Sequence, residues 1–314
     1  MTHSYDHVLA FFEQRDENGV SNAEKIRLNQ KIIRRVPTTD KSKSFEAVEP
    51  VSTVRDLPSG MVMEDGKLIG FGIHIFNEDV YPLQSFEIYL RGCGLTGPLD
   101  LSGCEDLIFL DLYHNTVTEV RTGYLPALRI FGVQDNRLEK LDVCGMPACQ
   151  GIDAGMNRLS ALDVSHSPEL VELYINDNRF SSIDLSRNQK LKYFYCHNNQ
   201  ITELDTRANP LLRHLNAAGN PLKSIRSLAP QRDEALPLEL YAEEGGTVGL
   251  KFNPVYNAQW KETGEWQQSY YAYPDDGFRF DGWVENGEKV SEEETWIDEY
   301  GTSRILQARF KTIL

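Results

Sequence analysis

Apolar residues recur through the middle of the chain with a period of 21 residues, and each apolar run closes on an asparagine. The first regular run reads Leu107-x-x-Leu110-x-Leu112-x-x-Asn115. Residues two apart on a strand share a face, so Leu110 and Leu112 point to one side and the residues beside them to the other. The asparagine stands where the chain leaves the strand, and its amide can donate to and accept from unpaired turn backbone. The pattern predicts stacked short strands and a structural ladder of Asn115, Asn136, Asn157, Asn178, Asn199 and Asn220.

The rest of each coil keeps the same register, with further apolar positions after the asparagine. About a dozen residues separate one asparagine from the next opening leucine, too few for a helix and two loops. The back of each coil is therefore expected to be extended, turn or short 3₁₀ structure. A fixed period near 20 with this phrase is typical of a leucine-rich repeat solenoid. A degenerate first coil covers 85–104, where Cys93 replaces the asparagine, and we expect about seven coils over 85–228.

The phrase Leu162-Asp163-Val164-Ser165 and its equivalents give these coils a recognisable style, which resembles the bacterial leucine-rich repeats of the internalin-like type. The tail segments 271–283 (with Gly282-Trp283) and 306–310 (Leu-Gln-Ala-Arg-Phe) are similar to the divergent form of the internalin B-type repeat. The resemblance covers 85–314. It implies a non-enzymatic adhesion or recognition protein that is secreted or exposed at the cell surface.

The region before the solenoid is less regular. Val8, Leu9, Phe11 and Phe12 predict a short helix, and Ser21-x-x-Glu24 has the form of a capping box, followed by apolar residues at helical spacing up to Val36. Residues 61–75 predict a hairpin with an Asp65-Gly66 turn. Because a solenoid exposes its apolar end unless something covers it, we expect the hairpin to cap the first coil.

The expected fold is mostly β with a small helical N-terminal part, a leucine-rich repeat solenoid and a small β domain of β-grasp-like form. The predicted domains are a helical segment and linker start (1–44), a linker and cap hairpin (45–84), the solenoid (85–228) and the C-terminal β domain (229–314).

Charge and hydropathy restrict the partners. A net charge of −15 argues against a nucleic-acid partner, because affinity for phosphates needs clustered Lys and Arg. No apolar stretch approaches the roughly 18 residues of a membrane span, so membrane insertion is not expected. Residues 1–7 are acidic and polar, where a secretion signal would be basic and then apolar, so a cytoplasmic location stays open beside the implied surface location.

Catalytic patterns are missing from the sequence, so we expect neither an enzyme nor a cofactor. Cys196 and His197 are neighbours on a strand and should face opposite sides, which prevents a nucleophile–base pair. The five cysteines are expected to be free thiols. A column of aspartates in the turns could bind calcium, but turn capping is favoured because coils about 4.8 Å apart exceed one ion's ligand radius. That column is Asp100, Asp142, Asp163, Asp184 and Asp205.

The solvent-facing strand positions form columns on the expected concave face. Tyrosine and phenylalanine gather at both ends of these columns and are common anchors of protein interfaces, although strands also favour tyrosine for structural reasons. Gly132, Gly151 and Gly155 predict a dip between them. We expect a protein partner here, bound by Tyr89, Phe109, Asp111, Tyr113, Asp153, Glu172, Tyr174, Tyr193, Tyr195 and His197.

The alternative is a glycan partner bound by the tail, since all four tryptophans lie there and an exposed indole is a natural sugar platform. Solvent exposure of Trp260 and Trp266 would separate the two hypotheses. Trp283 belongs to a core-like motif, and Trp296 is the fourth tryptophan of the tail.

Overall fold

A computed structural model describes residues 6–22, 24–25, 32–34, 47–49, 61–64, 67–71, 87–88, 92–105, 107–229, 236–256, 262–298 and 304–313. The chain divides into two compact units, residues 1–158 and 159–314. Both contain coils of a leucine-rich repeat solenoid, and the fold is mostly β, as predicted.

The first unit begins with one helix and continues in short strands. Its elements are α1 (Asp6–Glu13), β1 (Ile32–Arg34), β2 (Ala47–Glu49), β3 (Met61–Glu64), β4 (Lys67–Phe71), β5 (Glu87–Ile88), β6 (Thr96–Asp100), β7 (Phe109–Asp111), β8 (Thr116–Arg121), β9 (Ile130–Gly132) and β10 (Gly151–Asp153).

The repeat strands of this unit pair in parallel with no shift in register. Phe109 of β7 lies opposite Ile130 of β9, which lies opposite Gly151 of β10. The central residue of each strand is apolar and fully buried: Leu110, Phe131 and Ile152. The 21-residue period therefore returns each coil to the same depth and the same face.

The predicted first coil is not a full coil. Strand β5 pairs antiparallel with β1 in a separate three-stranded sheet, and β4 of the hairpin takes the place beside β7, with Gly70 opposite Phe109. The later half of the segment still stacks on its neighbour, because Thr116 N–H donates to the Leu95 carbonyl at 2.8 Å. The described residues thus contain six repeat strands in the main sheet, not seven, because β4 occupies the edge of β7 that the first repeat strand was expected to take.

The N-terminal region confirms the short helix and corrects the second one. Phe11 and Phe12 of α1 are buried in edge-to-face contact, 5.7 Å between ring centroids. Ser21 Oγ accepts the Glu24 N–H at 3.1 Å, as a capping box requires. The expected helix to Val36 is wrong at its end, since Ile32–Arg34 form strand β1.

A cap that the sequence did not indicate comes from Asn22. Its fully buried amide donates to the Thr96 carbonyl at 3.0 Å and accepts the Thr96 N–H at 3.1 Å, which ties the helical segment to β6. The predicted hairpin forms from β3 and β4, and its Asp65-Gly66 turn lies outside the described residues.

The second unit consists of strands and turns throughout its described residues. Its strands are β11 (Glu172–Tyr174), β12 (Tyr193–Tyr195), β13 (Glu203–Asp205), β14 (His214–Asn216), β15 (Ser224–Ala229), β16 (Leu236–Ala242), β17 (Gly246–Tyr256), β18 (Glu262–Pro274), β19 (Phe278–Glu285), β20 (Glu288–Ser291), β21 (Thr295–Asp298) and β22 (Ile305–Thr312).

The strands after residue 235 extend both sheets of the solenoid. In this unit the front sheet has the order β21-β18-β17-β14-β12-β11, and the back sheet has the order β13-β15-β16-β22-β19-β20. Strand β17 pairs antiparallel with the last front strand β14, and β16 pairs antiparallel with the last back strand β15. The open edges of the last coil are thereby covered, which blocks edge-to-edge pairing with other chains. The β-grasp-like form of this segment stays a prediction.

The ladder asparagines join neighbouring coils in both directions. Asn157 Oδ1 accepts the Leu138 N–H at 3.0 Å, while its Nδ2 donates to the Val133 carbonyl at 2.9 Å and the Gly155 carbonyl at 3.0 Å. Asn199 repeats this arrangement with Phe180 N–H at 3.0 Å. All six are 9% exposed or less: Asn115, Asn136, Asn157, Asn178, Asn199 and Asn220.

A second buried ladder runs along the opposite turn and was missed by the sequence reasoning. Asn188 Nδ2 donates to the carbonyls of Val164 at 3.0 Å and Ser167 at 2.9 Å, and Asn209 does the same one coil later. Ser167, Asn188 and Asn209 share the 21-residue spacing, which could have indicated the ladder. Two asparagines and a serine are, however, a weak pattern without the geometry.

The aspartate column caps turns. In each case Oδ1 accepts the backbone N–H two residues later, at 2.9 Å for Asp142, Asp163 and Asp184 and at 3.0 Å for Asp205. These are Asx turns, which hold the chain where it leaves the back of the coil.

None of the described cysteines forms a disulfide. Cys93, Cys104, Cys149 and Cys196 are buried, and burial raises the pKa of the Cys149 thiol to about 12 and that of Cys93 to about 11. Cys144 is exposed in a turn. The buried four act as small apolar side chains.

Removal of one ladder amide should destabilise the fold. Asn157→Ala strands an N–H and several carbonyls inside the solenoid, so we expect a loss of about 1–3 kcal/mol in the free energy of unfolding. Leu162→Ala, which leaves a cavity, should cost about 2–5 kcal/mol. Denaturant unfolding of both variants, with exposed Lys140→Ala as the control, measures these losses. Wild-type stability of Asn157→Ala would mean that the ladder hydrogen bonds do not stabilise the fold.

The thiols should react in two groups. In the native protein one thiol, Cys144, should react at once with a disulfide reagent, because the other four are buried and protonated. Five should react after denaturation without reductant. Two stable disulfides in the purified protein would contradict this assignment.

Candidate binding face

The front sheet of the second unit presents one continuous face, here called the front face. Residues in register share a face, so Tyr174, Tyr195, Asn216, Lys251, Ser269 and Ile297 form one row across six strands. The alternate residues Leu173, Phe194 and Leu215 are fully buried beneath it. The solenoid strands and the C-terminal strands therefore build the same surface.

Aromatic rings on the front face are stacked across neighbouring strands. The rings of Tyr174 and Tyr195 are 5.2 Å apart and nearly parallel, at 12°. Tyr193 stacks on His214 at 4.4 Å and 19°, and Tyr195 meets His197 edge to face at 6.4 Å. The three tyrosines are half-buried. Five rings from three coils are thus in contact, and four of them, Tyr174, Tyr193, Tyr195 and His197, are among the expected binding residues.

The C-terminal strands add aromatic residues that the sequence reasoning left out. Tyr271 lies in register with Gly249 on the front face, and its ring stacks with Tyr273 at 6.2 Å and 3°. Tyr273 Oη accepts the Gly219 N–H at 3.3 Å. A Cβ on Gly249 would stand 3.2 Å from the Tyr273 ring, so the glycine makes room for it. Only the pairing of β17 with β14 brings these residues beside the solenoid tyrosines.

Glu172 is a carboxyl group buried within the aromatic cluster. Its side chain is 3% exposed, and its position in β11 is opposite Tyr193 of β12. Burial raises the pKa of Glu172 from 4.5 to about 7, and a hydrogen bond from the Tyr174 hydroxyl at 3.3 Å opposes the shift. No described ion pair includes this carboxyl.

The two histidines of the front face are neutral at pH 7. Burial lowers the pKa of His214 to about 4, with a smaller contribution from the charge of Arg213. Burial also lowers the pKa of His197, and Lys251 adds to that shift while Asp177 opposes it. The imidazoles therefore contribute flat ring surface and not charge.

In the first unit, the predicted acids are turn acceptors. Asp111 is 3% exposed and accepts the Tyr113 N–H at 2.7 Å, and Asp153 is 7% exposed and accepts the Gly155 N–H at 3.2 Å. The expectation that these acids and Glu172 are solvent-facing is wrong, since all three are buried. Asp111 and Asp153 are turned toward the backbone N–H two residues on, whereas Glu172 lies beside the Tyr174 hydroxyl. Phe109 and Tyr113 are half-buried, and Tyr89 lies outside the described residues.

The predicted dip is filled at Gly132 and Gly151, two of the three glycines expected to form it. A Cβ on Gly132 would lie 3.3 Å from Asp111 Oδ1, and one on Gly151 would lie 3.1 Å from Ile130 Cδ1. Neighbouring side chains lean over both glycines, so these two positions do not open a pocket.

The tryptophans give the glycan alternative no support among the described side chains. Trp283 is fully buried, and its Nε1–H donates to the Glu293 carbonyl at 3.1 Å. Trp296 is half-buried, with the Arg304 guanidinium 4.8 Å above its ring. The side chains of Trp260 and Trp266, which would discriminate, lie outside the described residues.

Cys196 and His197 are arranged as the strand geometry predicts. The thiol is fully buried and desolvation raises its pKa above the usual range, while the imidazole lies on the front face. The described residues contain no helix with the length and apolar character needed to cross a bilayer.

Replacing Glu172 should change how stability depends on pH. The folded protein binds this proton more tightly than the unfolded chain, so Glu172 lowers the free energy of unfolding as pH rises from about 4.5 to 7, by up to about 1.4 kcal/mol per pH unit. His214, with its lowered pKa, has the opposite slope between about 4 and 6.5. The difference in the free energy of unfolding between Glu172→Gln and wild type isolates the contribution of this carboxyl. It should grow as pH rises from about 4.5 to 7.

Denaturant unfolding from pH 4 to 8 measures this difference, with exposed Glu203→Gln as the matched control. Parallel pH curves for Glu172→Gln and wild type would mean that the carboxyl titrates normally.

Comparisons with known proteins support the repeat assignment. Residues 168–209 match the family model described as leucine-rich repeats in two copies. A search of curated proteins gives no match.

Solved structures with partial similarity include the functional domain of InlJ from Listeria monocytogenes, described as including a cysteine ladder. It shares 22% identity over 40% of this chain and 33% of that one, with a TM-score of 0.35. A leucine-rich repeat protein of Leptospira interrogans is 22% identical over 40% of this chain and 34% of that one, with a TM-score of 0.34. The leucine-rich repeat domain of LRIM1 is 16% identical over 41% of this chain and 57% of that one, with a TM-score of 0.30. The chain thus spans about a third of the first two.

The 21-residue period, the stacked coils and the family match together carry the assignment. The chain therefore folds as a leucine-rich repeat solenoid, and residues 168–209 are its part that matches the repeat family.

Proposed function

We propose that this chain is a non-catalytic recognition or adhesion protein whose protein partner docks on the front face around Tyr174, Tyr193 and Tyr195. The observation that carries the proposal is the stacking of these rings across neighbouring coils, Tyr174 on Tyr195 and Tyr193 on His214. Leucine-rich repeat proteins are in general binding scaffolds. The internalin-like resemblance supports a secreted or cell-surface setting for the contact.

The physical basis is preorganisation. Tyrosine buries a large area on binding and loses little rotamer entropy. Here part of that loss has already occurred, because each ring is held by a neighbouring ring and the backbone beneath is a paired sheet. Rigid surfaces of this kind convert more of their buried area into affinity.

The binding surface extends onto the C-terminal strands. Tyr271 and Ile297 lie on the front face, and Ile297 is 50% exposed. A partner that covers the solenoid tyrosines would reach this region, since adjacent strands are about 4.8 Å apart. In this proposal the solenoid and the C-terminal strands contribute to one binding surface and do not form two separate binding modules.

Loss of a central tyrosine should weaken partner binding. A pull-down with the intact chain against candidate host or envelope proteins supplies the partner, and its affinity is then measured by calorimetry. Tyr195→Ala and Tyr193→Ala should each cost about 2 kcal/mol or more, about 30-fold in Kd. Tyr271→Ala should cost less, because it lies nearer the rim.

The matched control is Tyr124→Ala, which removes a tyrosine that is 58% exposed outside the front face. Weaker binding by the control but not by Tyr193→Ala or Tyr195→Ala would refute the front-face assignment. Deletion of 236–314 is a poor test, because it would uncover the edges of β14 and β15.

A further inference from the structure

Glu172 is an unusual group for a sheet face made of tyrosines. It is 3% exposed, and its one described side-chain hydrogen bond comes from Tyr174 at 3.3 Å. A buried carboxylate without a cation is costly, and such groups concentrate where a protein binds something. The fold itself does not need an acid here, because the equivalent positions of neighbouring coils hold Tyr193 and His214.

The surrounding chemistry suits a cation. Tyrosine ring faces attract Lys and Arg side chains electrostatically, and a carboxylate accepts two parallel hydrogen bonds from a guanidinium. Around Glu172 the rings of Tyr174 and Tyr193 are each fixed by stacking on a further ring. A planar guanidinium fits best, since it can stack on a ring while it pairs with the acid.

We propose that Glu172 receives an Arg or Lys side chain of the protein partner, with the stem of that side chain lying against the rings of Tyr174 and Tyr193. The inference rests on the proposed function and specifies the chemistry of its partner. The incoming cation replaces the Tyr174 hydroxyl, whose 3.3 Å hydrogen bond is long and therefore weak.

Charge complementarity supports a basic side chain at this end of the front face. The chain carries a net charge of −15, which favours cationic partners. Lys251 is a cation on the same face, but it lies three strands from Tyr174 along the row, about 14 Å at the usual strand spacing. Asp177, beside His197 at 3.7 Å, adds negative charge to the same turn region.

A random peptide library displayed on phage and selected on the intact chain tests the inference without a known partner. Enriched peptides are synthesised, and their affinities are measured for wild type, Glu172→Gln, Tyr195→Ala and Tyr124→Ala. Each peptide is also made with citrulline in place of arginine, which keeps the shape and removes the charge. Melting curves check that the variants fold.

We expect enriched peptides to contain Arg or Lys, and Glu172→Gln to weaken their binding by about 30-fold or more. Replacing arginine by citrulline in the peptide should weaken its binding to the wild-type protein by a similar factor. The same replacement should have little further effect on binding to Glu172→Gln, since both changes remove the same contact.

Other outcomes separate the two hypotheses. Binding that depends on Tyr195 but tolerates citrulline and Glu172→Gln would overturn the Glu172 contact and leave the front-face function standing. Binding that is insensitive to both variants, or a selection without any binder, would count against both.

Discussion

The solenoid depends on pairing the backbone polar groups where each short strand ends. A coil of 21 residues must turn sharply there, and the turn forces the residue before each asparagine into the left-handed region, with φ from 52° at Met156 to 66° at Gly219. A turn of this shape leaves carbonyls and an N–H facing inward. An asparagine amide is short enough to reach them from its own strand and offers both donors and an acceptor.

The second constraint is closure. A stack of coils ends in apolar surface and two open sheet edges, and each would invite aggregation. In the second unit, β16 and β17 pair with the last back and front strands, so covering the edges also enlarges the front face. In the first unit, β4 and the buried amide of Asn22 cover the beginning of the repeats. The same strand pairings therefore cap the last coil and extend the front face.

The front face combines rigid aromatic rings with buried titratable groups. Stacked tyrosines on a paired sheet are already ordered, which suits recognition of a partner. The burial of Glu172 and His214 works against stability at neutral or acidic pH, respectively, since desolvation disfavours the charged form of each. Proteins accept such local costs mainly at sites that act on something else.

The sequence by itself determined the repeat architecture, the ladder positions, the buried cysteines and the alternation of core and front-face residues. These follow from a strict period, and a period is local information that the chain carries at every coil. Tertiary structure decided the rest. Whether Glu87–Ile88 joins the main sheet depends on competition with Lys67–Phe71 for one strand edge. The exposure of Asp111 and Glu172 depends on how neighbouring side chains pack around them. That Tyr271 and Tyr195 lie on the same face depends on the pairing of β17 with β14. Such long-range pairings leave no periodic trace in the sequence, because one strand edge can be satisfied by many different partners.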